Sequence, residues 1–465
     1  MLLSTRDIDS FYNIIVRSCI KRSEIYLNKK IGFCKIKNSK LPNFLLLIKI
    51  IFFIFSGSIF FKKKRLNFKY HNIEFGRFIT ASVYRDYRSY TSNFIFFRNY
   101  ILNLFLAIKI YKTSQNYLNM NFNILYVDHA GYLNGILYTA FSNANKIVFT
   151  NNYPKSIFGI DFKKKKNLIF KKYENSLKIY KKNKYKKSFV RAKNILKRLT
   201  GGDIKILPWM GNTKFYKLNN IEDLNKYDYI VYAHSFTDAQ LWFGLDGFEN
   251  SYDWLDYTLT NLKNKNKKVI IKTHPNYFNT SLAKNLTYWD KKIFDLLYLK
   301  FKDCSSFYFI RYPLKNSDLT KILNKKTICI THHGSVAIEL AFLGFKTISS
   351  AANFYSDKFK ISNFWKSKKE YLNCLNKDWN NLKKPILKDV FHLTDQLFLG
   401  DDSYNGKNSY LKVVGRVLGK SLNNLTKKNS LFNHSNLKKN KFTNNVSQNQ
   451  LDKIIDILGK KIKIR

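Results

Sequence analysis

Cysteine is scarce in this chain and forms no pairing pattern. Cys19, Cys34, Cys304, Cys329 and Cys374 are odd in number and include no CxxC. That arrangement supplies neither a disulfide framework nor a zinc site, and it suits a reducing cytoplasm. Acidic residues are scarce too: 31 Asp+Glu stand against 82 Lys+Arg, for a formal charge of +51. Such an excess points at first to nucleic acid or an anionic membrane surface. The excess is mostly lysine, however, and it travels with Asn, Ile, Phe and Tyr. All five have A/T-rich codons, so a drift in base composition accounts for it, and no nucleic-acid partner is expected. Attraction to an anionic leaflet or an acidic glycan follows from the charge whatever its origin.

A clean membrane-spanning run is also missing. Residues 41–61, LPNFLLLIKIIFFIFSGSIFF, come nearest in length. Pro42 opens this stretch, Lys49 sits in its middle, and Ser56, Gly57 and Ser58 interrupt it before KKKR at Lys62 to Arg65. No small-residue cleavage site follows, so a signal peptide is not expected. The expectation is a buried helix, or one resting on the bilayer surface, rather than a span.

What is present is ample apolar material. Hydrophobic residues make up 45% of 465 residues, with 40 Phe and 31 Tyr. Disorder throughout is excluded, and the length exceeds one ordinary core. The pattern divides the chain into a helical, apolar and basic segment over 1–70, a first Rossmann-like domain over 71–220 and a second over 221–385. C-terminal helices over 386–420 and a polar low-complexity tail with a terminal amphipathic helix over 421–465 complete it. In the first domain NILYV reads as a strand, HAGYLNG as a turn and helix start, ILYTAFSNA as a helix face and KIVFT as the next strand. Residues 160–200 read as one or two lysine-laced amphipathic helices. In the second domain the strands YDYIVYA, KVIIK, SSFYFI, KTICIT and FKTIS alternate with helices, the last of these strands closing the series. Strands alternating with helices imply parallel pairing and a sheet covered on both faces, hence an α/β fold with two Rossmann-like domains facing a cleft.

In such a sheet, ligands bind beyond the carboxyl ends of the strands. The chain has eight histidines, and His234, His274, His332 and His333 directly follow strands of the second domain, while His129 follows one in the first. A shared ligand site is the simplest reading. Metal-ligand spacing and HExxH are absent, so no metal is expected. A phosphate-bearing ligand fits better. In HHGSVAIEL, Gly334 lets the backbone approach closely and Ser335 is placed to cap the helix, whose first amides then face an anion. Lys272, Thr273 and His274 add donors at the neighbouring strand end. Glu339 lies one turn deeper than Ser335 on the same helix face. It is either the acceptor of a ribose diol or a carboxylate of the helix terminus or a buried ion pair.

KTHPN followed by THHGSVAIELAFLG resembles the donor-binding half of GT-B glycosyltransferases, particularly the capsule and surface-polysaccharide group that includes Kdo transferases. The resemblance implies that His274 contacts the donor phosphate and Glu339 the ribose. HSFTDA, which includes His234 and Ser235, resembles a strand-end loop facing the cleft of the same half. YVDHAGYLNGILYTAFSNANKIV resembles an acceptor-side element with an acidic residue before a Y-x-x-G turn. The resemblance runs over about residues 70–385. The basic N-terminal segment and the polar tail have no counterpart in it.

The expected function is therefore metal-independent transfer of a sugar from a nucleotide-sugar to a surface glycan or lipid-linked acceptor, in the cytoplasm or peripheral on the inner face of the membrane. No cofactor beyond the donor substrate is implied. Asp128 is the expected general base, with His129 as its alternative; Asp128 equally suits capping of the turn that follows it. A nucleotide-sugar 2-epimerase, a polyol-phosphate transferase and a non-catalytic glycan-binding or scaffold protein are the rival readings.

Overall fold

The computed structural model describes residues 2–3, 48, 52, 54, 56–70, 73–118, 124–127, 131–143, 147–153, 156–161, 166–167, 186–203, 213–216, 224–238, 241, 244–278, 284–353 and 359–394. Asp128 and His129, most of 41–61, and the polar tail lie outside them.

After β1 (Leu2–Leu3) come α1 (Lys62–Leu66), α2 (Phe75–Val83), α3 (Arg88–Thr91) and the long α4 (Asn93–Leu118). Next are β2 (Ile124–Val127), α5 (Asn134–Asn143), β3 (Ile147–Tyr153), β4 (Ser156–Asp161), β5 (Lys166–Asn167) and α6 (Lys186–Thr200). These five strands form one sheet in the order β1-β2-β3-β4-β5. β1, β2 and β3 pair in parallel, as expected of a Rossmann-like unit, whereas β4 and β5 return antiparallel. The β4–β5 hairpin occupies part of the stretch that lysine-laced helices were expected to fill. The structure also adds helices between residues 62 and 118. Phe75, Phe78, Ile79, Tyr100, Leu104 and Ile136 bring α2, α4 and α5 into one core.

The second sheet carries β6 (Tyr229–Tyr232), β7 (Val269–Lys272), β8 (Phe307–Ile310), β9 (Ile328–Thr331), β10 (Thr347–Ser350) and β11 (Asn363–Trp365). Every pairing in it is parallel, in the order β11-β10-β9-β6-β7-β8. The series therefore continues past FKTIS, because β11 extends the sheet beyond β10. The intervening helices are α7 (Ser251–Asn264), α8 (Lys284–Phe301), α9 (Asn316–Ile322) and α10 (Val336–Phe342), followed by α11 (Lys368–Leu375) and α12 (Leu387–Thr394).

The strands are buried on both faces because alternate side chains point opposite ways. Tyr229 and Val231 of β6 join Val269, Ile271, Trp254 of α7 and Ile293 of α8 on one side. Ile230 and Tyr232 join Ile270, Cys329, Leu319 of α9 and Leu340 of α10 on the other. α6 packs on this unit as well: Leu196 and Leu199 meet Ala337 and Ile338 of α10 and Val390 of α12.

A buried ion pair fastens the N-terminal helices to the second domain. Arg65 of α1 bonds Glu249, which lies just before α7, and donates to the Ile59 carbonyl at 2.9 Å. Its guanidinium also lies over the Phe96 ring of α4, 4.6 Å from the centroid. Tyr90 adds a bond to the Phe236 carbonyl at 2.6 Å. Removing one member of a buried pair strands the other charge out of water, which costs roughly 3–5 kcal/mol. Glu249→Ala is accordingly expected to lower unfolding free energy by about that amount in urea melts. An exposed pair such as Lys291–Asp295 (3.2 Å) should cost under about 1 kcal/mol when broken the same way.

Candidate functional site

From β6 outwards the second sheet runs two strands one way and then three the other, so its chain order reverses between β6 and β9. A crevice opens at the carboxyl ends of strands flanking such a switch point. The hydrogen-bond register decides what stands there. Tyr232 pairs with Lys272 of β7 on one side and with Thr331 of β9 on the other. His234, His274 and His333 each lie two residues beyond that shared rung. Strands lie roughly 4.8 Å apart, so three side chains at equal distance past one rung stand side by side. The His234 ring is 5.8 Å from that of His274 and 5.8 Å from that of His333.

Hydrogen bonds assign the tautomers. Nδ1 of His234 lies 3.0 Å from the Ser235 carbonyl oxygen, and Nδ1 of His333 lies 2.7 Å from that of Ala352. A carbonyl only accepts, so both Nδ1 atoms carry the proton and both Nε2 atoms keep a lone pair. The Nε2 of His333 is buried without a partner among the described residues. His274 is the reverse. Its Nδ1 accepts from the Asn276 amide at 3.2 Å, which leaves a proton on Nε2. Burial pushes all three imidazoles down, and His274 is lowered further by His234 and Lys272. All three are neutral at pH 7.

The crevice encloses about 720 Å³ of space open to solvent, and Lys272, Thr273, His274, Gly334, Ser335 and Glu339 line it together with His234. Leu199 and Gly202, at the end of α6, and Phe215 form another wall. Lys272 is 2% exposed, and burial lowers its ammonium to about 8 against the pull of Glu339. None of the ion pairs among the described residues includes it, and its Nζ lies 5.3 Å from the Tyr232 ring centroid. A buried cation without an ion-paired carboxylate is costly unless an anion joins it.

The turn after β9 is built by close packing. A Cβ at Gly334 would lie 2.8 Å from Thr331 Oγ1, so only glycine lets the chain fold this tightly over the strand end. Ser335 departs from expectation: it stands at the N-cap in helical conformation (φ −57°), and its side chain makes no capping bond. A capping hydroxyl needs an extended backbone, which this turn lacks. The amides of Ala337 and Ile338 bond back to Gly334 and Ser335. Glu339 is 7% exposed and accepts at Oε2 from Asn316 Nδ2 at 2.7 Å. Burial raises its carboxyl, opposed by Asn316 and Lys272.

Three expected site residues, Ser235, His332 and His333, do not line the crevice and support it from behind. Ser235 donates to Asp290 of α8 at 2.6 Å, and the same carboxylate accepts from the Phe236 and Thr237 amides at 2.8 and 2.9 Å. It thereby fixes the loop that presents His234. His332 stacks against Trp254 (4.9 Å, 7°) and runs parallel to Trp365 (6.1 Å, 2°). Its Nε2 meets Asp246 Oδ2 at 2.9 Å and its Nδ1 meets Ser251 Oγ at 3.1 Å. Asp246, His332 and His333 bring ligand-type atoms within 4.8 Å of one another. Both nitrogens of His332 are already bonded, however, so the trio is a hydrogen-bonded support for the β9 turn. Burial pushes the Asp246 carboxyl up, but His332, His333 and Ser350 outweigh it and hold it well below the usual range.

Asn316, Asp290 and Asp246 escape a reading by motif, since each is distant in sequence from the residue it holds. The KNSDL stretch containing Asn316 reads as a loop, and in the structure it begins α9. The first sheet contributes no described residue to the lining.

Fold and site together define an α/β protein with an anion-suited crevice at the switch point of a parallel sheet. No known protein family matches the chain, and no curated protein matches it. Among solved structures it is similar to the beta-Kdo 2,4-transferase KpsC of Thermosulfurimonas dismutans: 12% identity, 58% of this chain and 78% of that one covered, TM-score 0.35. A second is the UDP-GlcNAc 2-epimerase of Methanocaldococcus jannaschii, solved with UDP-GlcNAc and UDP: 13% identity, 63% and 81% covered, TM-score 0.27. At these scores neither likeness bears on function.

Sulfate, whose charge is constant near neutrality, probes the crevice without titrating itself. Its affinity is expected to fall as pH rises through about 8, where Lys272 loses its proton. Lys272→Arg should keep the affinity level from about pH 7 to 9, because guanidinium stays charged. Calorimetric titration at several pH values reads both.

Proposed function

We propose that the chain is a glycosyltransferase that moves a sugar from a nucleotide-sugar to a surface glycan or lipid-linked acceptor without a metal ion. The observation that carries this reading is the buried Lys272 ammonium, which has no ion-paired carboxylate among the described residues and opens onto the crevice beside His274 and Ser335. Its missing counter-charge is assigned to the phosphate of the donor. His274 Nε2–H, the Ser335 hydroxyl and Lys272 donate to that phosphate. Glu339, with Oε2 steadied by Asn316 and Oε1 unbonded among the described residues, accepts from the ribose hydroxyls.

In the transfer, the acceptor hydroxyl oxygen bonds to the anomeric carbon as the bond from that carbon to the phosphate oxygen breaks. The nucleotide leaves with the electron pair, and the acceptor proton passes to a base. Donors already fixed around the departing phosphate favour the transition state most, since negative charge grows there as the bond breaks. Lys272 and His274 act in this way. The acceptor proton is assigned to Asp128, with His129 as its alternative.

Thermal-shift screening with CMP, CDP, UDP and GDP compounds tests the donor class. One of these should raise the melting temperature. Glu339→Ala should weaken that nucleotide about tenfold to a hundredfold, the worth of hydrogen bonds to a charged group. Unchanged affinity would remove the ribose role. Asp128→Ala should leave nucleotide binding intact and slow turnover by roughly 10²–10⁴-fold. Nucleotide release that requires acceptor supports transfer. Inversion at the sugar ring without acceptor would instead establish an epimerase, and a melting temperature unmoved by every nucleotide would establish a non-catalytic protein.

A further inference from the structure

The outer surface of the N-terminal helices carries a second feature, independent of the nucleotide reading. α4 is long and apolar enough to cross a bilayer between Asn93 and Lys112, but 41% of that stretch is buried within the protein. Its inner face, with Tyr100, Leu104 and Ala107 at 0% exposure, is core. With one side committed to core, the helix presents only its opposite face outward. Phe94, Arg98, Leu102 and Phe105 follow one another at intervals of four, four and three, so they share that face. The three apolar members are exposed, Phe94 to 78%.

The segment before α1 extends the same surface. Phe52, Phe60 and Phe61 are exposed, and the Phe60 ring sits edge-on against Phe97 of α4 at 4.6 Å. Phe97 lies one helical turn from Phe94, so the phenylalanine turn abuts the outer stripe. Cations border both parts: Lys63, Lys64 and Arg98 are exposed, and Lys64 Nζ lies 5.0 Å from the Phe61 ring centroid. No acidic residue occurs between Glu24 and Glu74 or between Asp86 and Asp128. Asp86, at the margin, is already paired with Arg88 at 2.7 Å.

We propose that this face docks flat on an anionic lipid bilayer, with the phenylalanines and Leu102 entering the headgroup boundary and Lys63, Lys64 and Arg98 meeting the lipid phosphates. Exposed aromatic and aliphatic side chains framed by cations are what such a boundary takes up. The charge argues against a second copy as occupant, because two such faces would bring Lys63, Lys64 and Arg98 of each copy together, while Asp253 beside α1 is already paired with Lys62. The surface goes beyond the stretch over 41–61 that the sequence offers, since α4 supplies half of it.

Cosedimentation of the full chain with vesicles tests it. Vesicles containing about one-third phosphatidylglycerol should bind at least tenfold more tightly than pure phosphatidylcholine, with loss in high salt. The exchange F61S/F94S/L102S should abolish binding, and K63E/K64E/R98E should erase the preference for anionic lipid. Phe94→Trp gives a readout in an otherwise intact surface: its fluorescence should shift to the blue on anionic vesicles and be quenched by brominated lipid. Absence of vesicle binding by the wild type, or no fluorescence shift at position 94, overturns the proposal. So does wild-type binding by the F61S/F94S/L102S variant, or a concentration-dependent dimer that this variant dissolves. Capture on an acidic protein surface in place of vesicles overturns it as well.

Discussion

The register of three parallel strands is the constraint on which the site depends. Tyr232, Lys272 and Thr331 share one rung, and the chain leaves the sheet just past it on β6, β7 and β9. Because the rung is common, residues at equal distances beyond it become neighbours although they are far apart in sequence. A slip of one residue in either pairing would turn every side chain of that strand to the other face. It would break the alternation that sends Val231 to one core and Tyr232 to the other. The apolar packing that holds the sheet together thus also fixes the spacing of the imidazoles.

Behind the crevice stands a layer of buried polar groups, each satisfied by a partner from another element. Asp290 collects four donors from the loop after β6. His332, flanked by two indoles, ties the turn after β9 to Asp246 and Ser251. Asn316 steadies Glu339. Buried polar groups are tolerated when bonded, and they then hold one geometry in a way apolar contacts do not. Lys272 differs from these groups in lining the crevice and in belonging to no ion pair among the described residues.

Much of the second domain was legible in the sequence because its strands are continuous apolar runs closed by turn residues. YDYIVYA, KVIIK and KTICIT carry that signal strongly. β11, only Asn363 to Trp365, begins with a polar residue and offers no such run. The β4–β5 hairpin is short and lies among lysines, where helical spacing was the stronger pattern. The grouping of His234, His274, Gly334 and Glu339 was legible from their positions after strands. That His332 and His333 both stay out of the crevice lining was not, since a place after a strand does not say which way a side chain turns. Ser335 suits a cap by type, but the cap depends on a backbone angle that the tight turn over Thr331 sets.

In the second sheet, the sequence by itself determined the alternation of strands and helices, their parallel pairing, and the concentration of histidine and glycine at strand ends. These follow from local periodicity and residue type, which a linear chain displays directly. Tertiary structure alone decided the strand order, the shared rung, the choice of Asn316 as partner for Glu339 and the burial of Lys272 without an ion-paired carboxylate. Those depend on which distant segments pack together, and packing free energy belongs to the assembled layers and to no single segment of them.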